Sequence, residues 1–155
     1  MSKFIEKGDK AVNFTLINVD GIEISLDKFR GEKVVLFFYP KDNTPGCTAE
    51  ACSFRDWYDD ILKEGAVVIG VSPDGNASHM DFRDKYGLPF FLLSDEDHQV
   101  AEAYGAWGEK NMYGKKFMGI IRSTFIINEE GIITKVFKKV ETKTHGEDVL
   151  KELKK

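Results

Sequence analysis

The sequence predicts an α/β protein built on one layered, partly antiparallel sheet. Two observations carry this: helical stretches alternate with apolar runs of the kind that form buried strands, and hairpin signals stand near both ends. Phe14 to Val19, the turn Asp20-Gly21 and Ile22 to Ser25 read as the first hairpin. Val34-Val-Leu-Phe-Phe-Tyr39 is continuously apolar, the pattern of a central strand covered on both faces. From Cys47, the residues Ala51, Phe54, Tyr58, Ile61 and Leu62 recur at helical spacing until Gly65 stops the helix. Ala66 to Val71 is a second buried strand, ended by Ser72-Pro73-Asp74-Gly75. Residues 76 to 86 read as a helix, Phe90 to Leu93 as a short strand, and Asp97 as the cap of a helix through Tyr104. A Gly- and aromatic-rich connection, Gly105 to Gly119, leads to a strand over Ile120 to Ile127. The turn Asn128 to Gly131 joins this strand to Ile132 to Val140, and a helix over Glu147 to Leu153 closes the chain.

With 155 residues, the chain is expected to form one domain, 1–155, with a sizeable core. Hydrophobic residues make up 42% and charged residues 31%, so the composition is that of an ordinary soluble protein. A net charge of −4 with interspersed signs leaves no basic footprint for nucleic acid. No apolar run reaches the roughly 20 residues that span a bilayer, so no membrane partner is expected. The N-terminus Met1 to Lys10 lacks the apolar stretch of a secretory signal, which points to the cytoplasm. In that reducing compartment a catalytic disulfide is more plausible than a structural one.

The chemistry concentrates in Pro40-Lys-Asp-Asn-Thr44-Pro45-Gly46-Cys47-Thr48-Ala-Glu50-Ala-Cys52, between the central strand and the helix. Thr44 is a good N-cap, and Pro45 suits the first helical position because its missing N–H would be unpaired there anyway. Gly46 permits close approach to the backbone. Cys47 then falls in the first turn, where unpaired N–H groups and the helix dipole favour a thiolate. Most cysteines merely pack, but this placement makes Cys47 a candidate nucleophile. Cys52 lies about 140° further round the helix, partly exposed, with its Cα about 8–9 Å from that of Cys47. A disulfide tolerates at most about 7 Å. Any bond between the two therefore requires local unwinding.

His79, His98 and His145 lie in no motif and read as surface residues, so neither a Cys–His acyl-transfer pair nor a closed zinc site is recognisable. The spacing exceeds Cys-x-x-Cys, which disfavours a thioredoxin-type reductase. A thiolate attacking a peroxide needs no general base and fits best.

The run Pro40-x-x-x-Thr44-x-x-Cys47 resembles the peroxiredoxin active-site motif. Asp42 to Thr48, Gly70-Val71-Ser72-Pro73-Asp74 and Trp107-Gly108-Glu109-Lys110 resemble the bacterioferritin-comigratory, Q-type branch. The likeness covers nearly the whole chain. It implies a thioredoxin-like fold, a central mixed β-sheet flanked by helices with an added N-terminal β-hairpin. By the same resemblance Cys47 is the peroxidatic cysteine, Cys52 the resolving one, Thr44 and Pro40 shape the pocket, and Arg122 is the active-site arginine. Substrate contacts are expected from Thr44, Gly46, Cys47 and Arg122, with Pro40 and Pro45 shielding the thiolate from water. Glu50 either complements the helix dipole or pairs with Arg122.

The implied activity is reduction of hydrogen peroxide or organic hydroperoxides, with recycling by a thioredoxin- or glutaredoxin-type thiol donor. No cofactor or metal is implied, and the branch leans towards a monomer or weak dimer. A disulfide reductase and a non-catalytic redox sensor or holdase are the rivals. Ser123 before Thr124, where thioredoxins carry proline, counts against the reductase. Trp107, Met112, Tyr113, Phe117 and Met118 either pack the connection onto the core or wall the peroxide pocket. Phe54 and Trp57 are expected to pack, and unwinding would move Trp57.

Overall fold

The alternating apolar runs become a mixed sheet with its hydrophobic side chains shared between two faces. A computed structural model describes residues 4–155; of the N-terminal stretch read for a leader, residues 1–3 lie outside the described residues. The strands are β1 (Thr15–Ile17), β2 (Glu23–Ser25), β3 (Lys33–Phe38), β4 (Ala66–Ser72), β5 (Phe91–Ser94), β6 (Trp107–Met112), β7 (Lys115–Ile120), β8 (Ser123–Ile127) and β9 (Ile133–Phe137). The helices are α1 (Pro45–Lys63), α2 (Asn76–Tyr86), α3 (Gln99–Tyr104) and α4 (His145–Leu153).

Seven strands join in the order β2-β1-β5-β4-β3-β8-β9. The β3, β4 and β5 strands run parallel, and β8 pairs antiparallel with both β3 and β9. Because side chains alternate along a strand, Val35 and Phe37 pack under Phe54 and Ile61 of α1, Phe82 of α2 and Val149 of α4. Val34, Leu36 and Phe38 face the opposite way, against Phe14, Leu26, Tyr104 and Phe125. The central strand is thus covered on both faces, as its unbroken apolar run predicts. At Gly70 a Cβ would come within 2.7 Å of the Phe37 ring, so that residue makes room for the core aromatic.

Helix α1 stops as predicted, with Gly65 at φ +77° just beyond it. Asp97 is not the N-cap of α3: His98 holds that position, and Asp95 accepts the Val100 and Ala101 N–H groups. Helix α4 begins at His145, two residues earlier than read. Three further segments differ more from the sequence reading. Residues 105–119 are no loop: β6 and β7 form a two-stranded hairpin of their own, in register from Trp107↔Ile120 to Met112↔Lys115. The predicted strand from Ile120 begins only at Ser123, because the chain leaves β7 at Ile120 and turns at Ile121–Arg122 into the main sheet. The last strand ends at Phe137, where Lys138 turns out to meet Glu6 at 2.6 Å.

Candidate active site

Strand β3 delivers the chain to Pro40, a four-residue loop follows, and α1 starts at Pro45. Thr44 occupies the N-cap position with extended backbone, and its carbonyl accepts the Thr48 N–H at 2.8 Å. Its hydroxyl does not cap the helix, as the sequence reading expects, but donates to the Lys41 carbonyl at 2.8 Å. The hydroxyl's lone pairs stay available to accept a bond. Gly46 and Cys47 precede any carbonyl of the same helix that could receive their N–H groups, so these donors point out of the helix end.

Cys47 is 1% exposed, at the junction of the site and the core. Arg122, reached across the sheet from the turn before β8, forks over it. Its Nη2 donates to Cys47 Sγ at 3.3 Å and its Nη1 to Glu50 Oε1 at 2.6 Å. This pairing is the second of the two roles the sequence allows for Glu50. Gly46 leaves room for this approach, since a Cβ there would crowd Nη2 at 3.2 Å. Cys52 is half-buried on the same unbroken helix, and both thiols are free. Burial pushes the Cys52 thiol above its ordinary value, with Arg55 opposing and Asp56 reinforcing. Pro40 is half-buried at the end of β3.

Glu50 is fully buried, and its second oxygen has no hydrogen-bond partner among the described residues. Burial raises its pKa to about 7, against the opposing charge and hydrogen bond of Arg122. His145 Nε2 lies 3.9 Å from the free oxygen and 2.8 Å from the Thr124 hydroxyl. Burial brings His145 down to about 4.

Two histidines read as surface residues are therefore core residues: His79 is 0% and His145 1% exposed. Each is held by partners remote in sequence, which no local motif reports. His98 is half-buried and lies flat on Trp107, ring centres 3.7 Å apart. Lys110 is a further residue that the sequence reading leaves without a role. It is half-buried on β6; burial, then the charge of Arg122, lowers its pKa, and Cys47 opposes them. Its place became readable only once β6 formed a strand. Met112, Tyr113, Phe117 and Met118 are exposed, Tyr113 to 98%, so these side chains do not pack the hairpin onto the core. Asp42, Asp74 and His79 bring possible metal-binding atoms within 4.8 Å of one another, but these atoms are already engaged in hydrogen bonds within the protein.

A cysteine in the first turn of a helix with an arginine donating to its sulfur suits the chemistry of a reactive thiol. The AhpC/TSA family model matches residues 7–136. The chain is 47% identical to peroxiredoxin Bcp of Bacillus subtilis, covering 97% of this chain and 96% of that one. It is 45% identical to peroxiredoxin Bcp of Escherichia coli, with the same coverage of both chains. Among solved structures, Xanthomonas campestris peroxiredoxin Q superposes with a TM-score of 0.86 at 40% identity, over 91% of this chain and 89% of that one. The bacterioferritin comigratory protein of that organism, studied for alkyl peroxide reduction, gives the same score and identity over 91% and 90%. The chain belongs to the AhpC/TSA family, within the bacterioferritin-comigratory, Q-type peroxiredoxins. It is accordingly a peroxidase that uses a peroxide and a thiol reductant.

Proposed function

We propose that Cys47 reduces hydrogen peroxide and organic hydroperoxides and that Cys52 resolves the product as an intramolecular disulfide. The observation that carries this reading is the Arg122 fork, with Cys47 Sγ at 3.3 Å on one nitrogen and buried Glu50 on the other. In the first step the Cys47 thiolate attacks the distal peroxide oxygen. An S–O bond forms, the O–O bond breaks, and the hydroxide or alkoxide leaves with a proton. Arg122 and the N–H groups of Gly46 and Cys47 stabilise the charge spread over sulfur and both oxygens. The Thr44 hydroxyl, already donating to Lys41, accepts a hydrogen bond from the hydroperoxide O–H and orients the substrate. Pro40 and Pro45, which lack N–H groups, line the approach.

In the second step the Cys52 thiol attacks the Cys47 sulfenic acid, an S–S bond forms and water leaves. The start of α1 has to unwind for this, and unwinding also relieves the burial that holds Cys52 protonated. A thioredoxin- or glutaredoxin-type dithiol then restores both thiols by exchange. We read the enzyme as cytoplasmic, where such donors are kept reduced, and as a monomer or weak dimer. The test is stopped-flow tryptophan fluorescence of reduced protein mixed with peroxide. A fast second-order phase absent in Cys47→Ser, then a slower phase absent in Cys52→Ser, is expected. A slow, single oxidation with no turnover would instead identify a redox sensor.

A further inference from the structure

Behind the catalytic loop lies a polar cluster with no part in the chemistry above. Asp42 stands midway between Pro40 and Thr44, yet is 4% exposed. Its Oδ1 accepts from the Tyr39 hydroxyl at 2.6 Å, and its Oδ2 accepts from the Ser78 hydroxyl at 2.8 Å. The same Oδ2 faces Nδ1 of fully buried His79 at 2.7 Å. His79 Nε2 lies 3.0 Å from the Leu93 carbonyl, which can only accept, so Nε2 carries a hydrogen. A proton between Nδ1 and Oδ2 completes the second bond of the ring. The Asp42 backbone N–H donates in turn to Asp74 Oδ2 at 2.8 Å, which also accepts from the Ser72 hydroxyl. Asp42 thus ties the loop through its side chain to Tyr39 just beyond β3 and to α2, and through its backbone N–H to Asp74 just beyond β4. The next residue, Asn43, turns left-handed at φ +63°, so the backbone changes direction at once beyond this anchor.

A second anchor follows Cys52 directly. Ser53 Oγ accepts the Gly146 N–H at 2.8 Å, and a Cβ at Gly146 would run into the Ser53 carbonyl, so α4 rests on the backbone of α1. Both cysteines lie between the two anchors, in residues 43–52.

We propose that His79, through Asp42, is a positioning residue for the peroxidase reaction. It holds the 40–44 loop in place for attack and sets the N-terminal limit of the segment that unwinds for resolution; Ser53 and Gly146 set the other limit. This rests on the two-cysteine reading above. Releasing Asp42 would leave a buried carboxylate short of a donor, which is costly, so the folded loop stays put while the weaker stretch beyond it opens. Weakening the anchor therefore acts in opposite directions on the two steps: attack loses its aligned pocket, and resolution gains an easier opening.

The experiment measures both stopped-flow phases, together with amide exchange over 43–52, for His79→Leu, His79→Asn and Ser53→Ala. His79→Leu is expected to slow attack about tenfold or more, to speed resolution several-fold, and to raise exchange across 43–52. His79→Asn, whose amide nitrogen can take the place of Nδ1, restores most of both rates. Ser53→Ala, at the far anchor, puts the larger share of its effect on resolution. Should His79→Leu fail to fold, Ser78→Ala removes one donor to Asp42 and must show the same opposed pair at smaller size. Rates that move together, or unchanged rates in either variant, overturn the proposal. If both wild-type phases are present, that result leaves the peroxidase reading standing. A wild type with no peroxide-dependent phase overturns that reading and the proposal with it.

Discussion

The two halves of α1 are held by different forces. From Phe54 onward the helix is fastened by aromatic packing: Phe54 packs at a tilt on Phe37 at 4.7 Å and edge-to-face on Phe90 at 6.3 Å, and Tyr58 meets Phe90 edge-to-face at 5.8 Å. Before Ser53, Cys47 and Ala51 add only small side chains to that core, and the polar groups of Cys47 and Glu50 are bonded by one arginine from another part of the chain. Apolar packing is spread over many contacts and gives way only as a whole, whereas a forked ion pair can be released by changing one charge. The helix thus combines a fixed platform with a releasable end, and the reacting cysteines sit on the releasable end.

Substitutions that strike one half only can break this comparison. The largest effect is expected at Phe54→Ala, which should cost about 3–5 kcal/mol of stability while the attack rate of the folded fraction persists. Urea unfolding and stopped-flow on one preparation check it; a lost attack phase in protein still folded would join the two halves. Arg122→Ala should lower the second-order rate with peroxide about 10²–10³-fold and move the unfolding midpoint far less than Phe54→Ala does. An unchanged rate would remove the arginine from the reaction.

A finer test uses the two buried titratable groups. The native state keeps the Glu50 proton up to about pH 7, while the unfolded chain loses it near 4.5. The resulting stabilisation is complete at low pH and disappears as pH rises through about 7. His145 stays neutral in the native state down to about 4, while the unfolded ring protonates near 6.5. Its contribution is present above that value and lost as pH falls through about 4. Between these limits the two slopes oppose each other at up to about 1.4 kcal/mol per pH unit each. Glu50→Gln should expose the His145 slope, so the variant loses stability on acidification from pH 6.5 faster than wild type. Urea midpoints at stepped pH decide; parallel profiles would show that the two groups do not offset each other. The smallest effect is expected at Trp57→Phe: the fluorescence change on resolution fades, while the rate followed by acid quench and mass spectrometry holds.

What could be read from the sequence follows the range of the forces involved. Periodic apolar residues report burial within a few positions, so β3, β4, α1 and the stop at Gly65 were legible. The first-turn position of Cys47 was legible too, because Thr44, Pro45 and the apolar stripe bound the helix start. Arg122 stood out only through its resemblance to a family motif, since its partners Cys47 and Glu50 are 75 and 72 residues away. His79 and His145 escaped for the same reason: an imidazole is buried or exposed according to partners that only the fold assembles. The β6–β7 hairpin escaped because its strands, Trp-Gly-Glu-Lys-Asn-Met and Lys-Lys-Phe-Met-Gly-Ile, are largely exposed and show no alternation of apolar and polar residues.

Five-residue spacing on one helix also bears on the electrical balance of the thiol couple. With Cys52 as partner, the disulfide can exist only where the start of α1 is unwound, so the helical bonds and the Arg122 contacts count on the reduced side alone. Their free energy makes the disulfide the stronger oxidant, by about 30 mV for each 1.4 kcal/mol. The strength with which this short stretch folds therefore sets how readily a donor dithiol reduces the enzyme. A substitution that firms the first turns of α1 would hasten its reduction as surely as it would delay its oxidation to the disulfide.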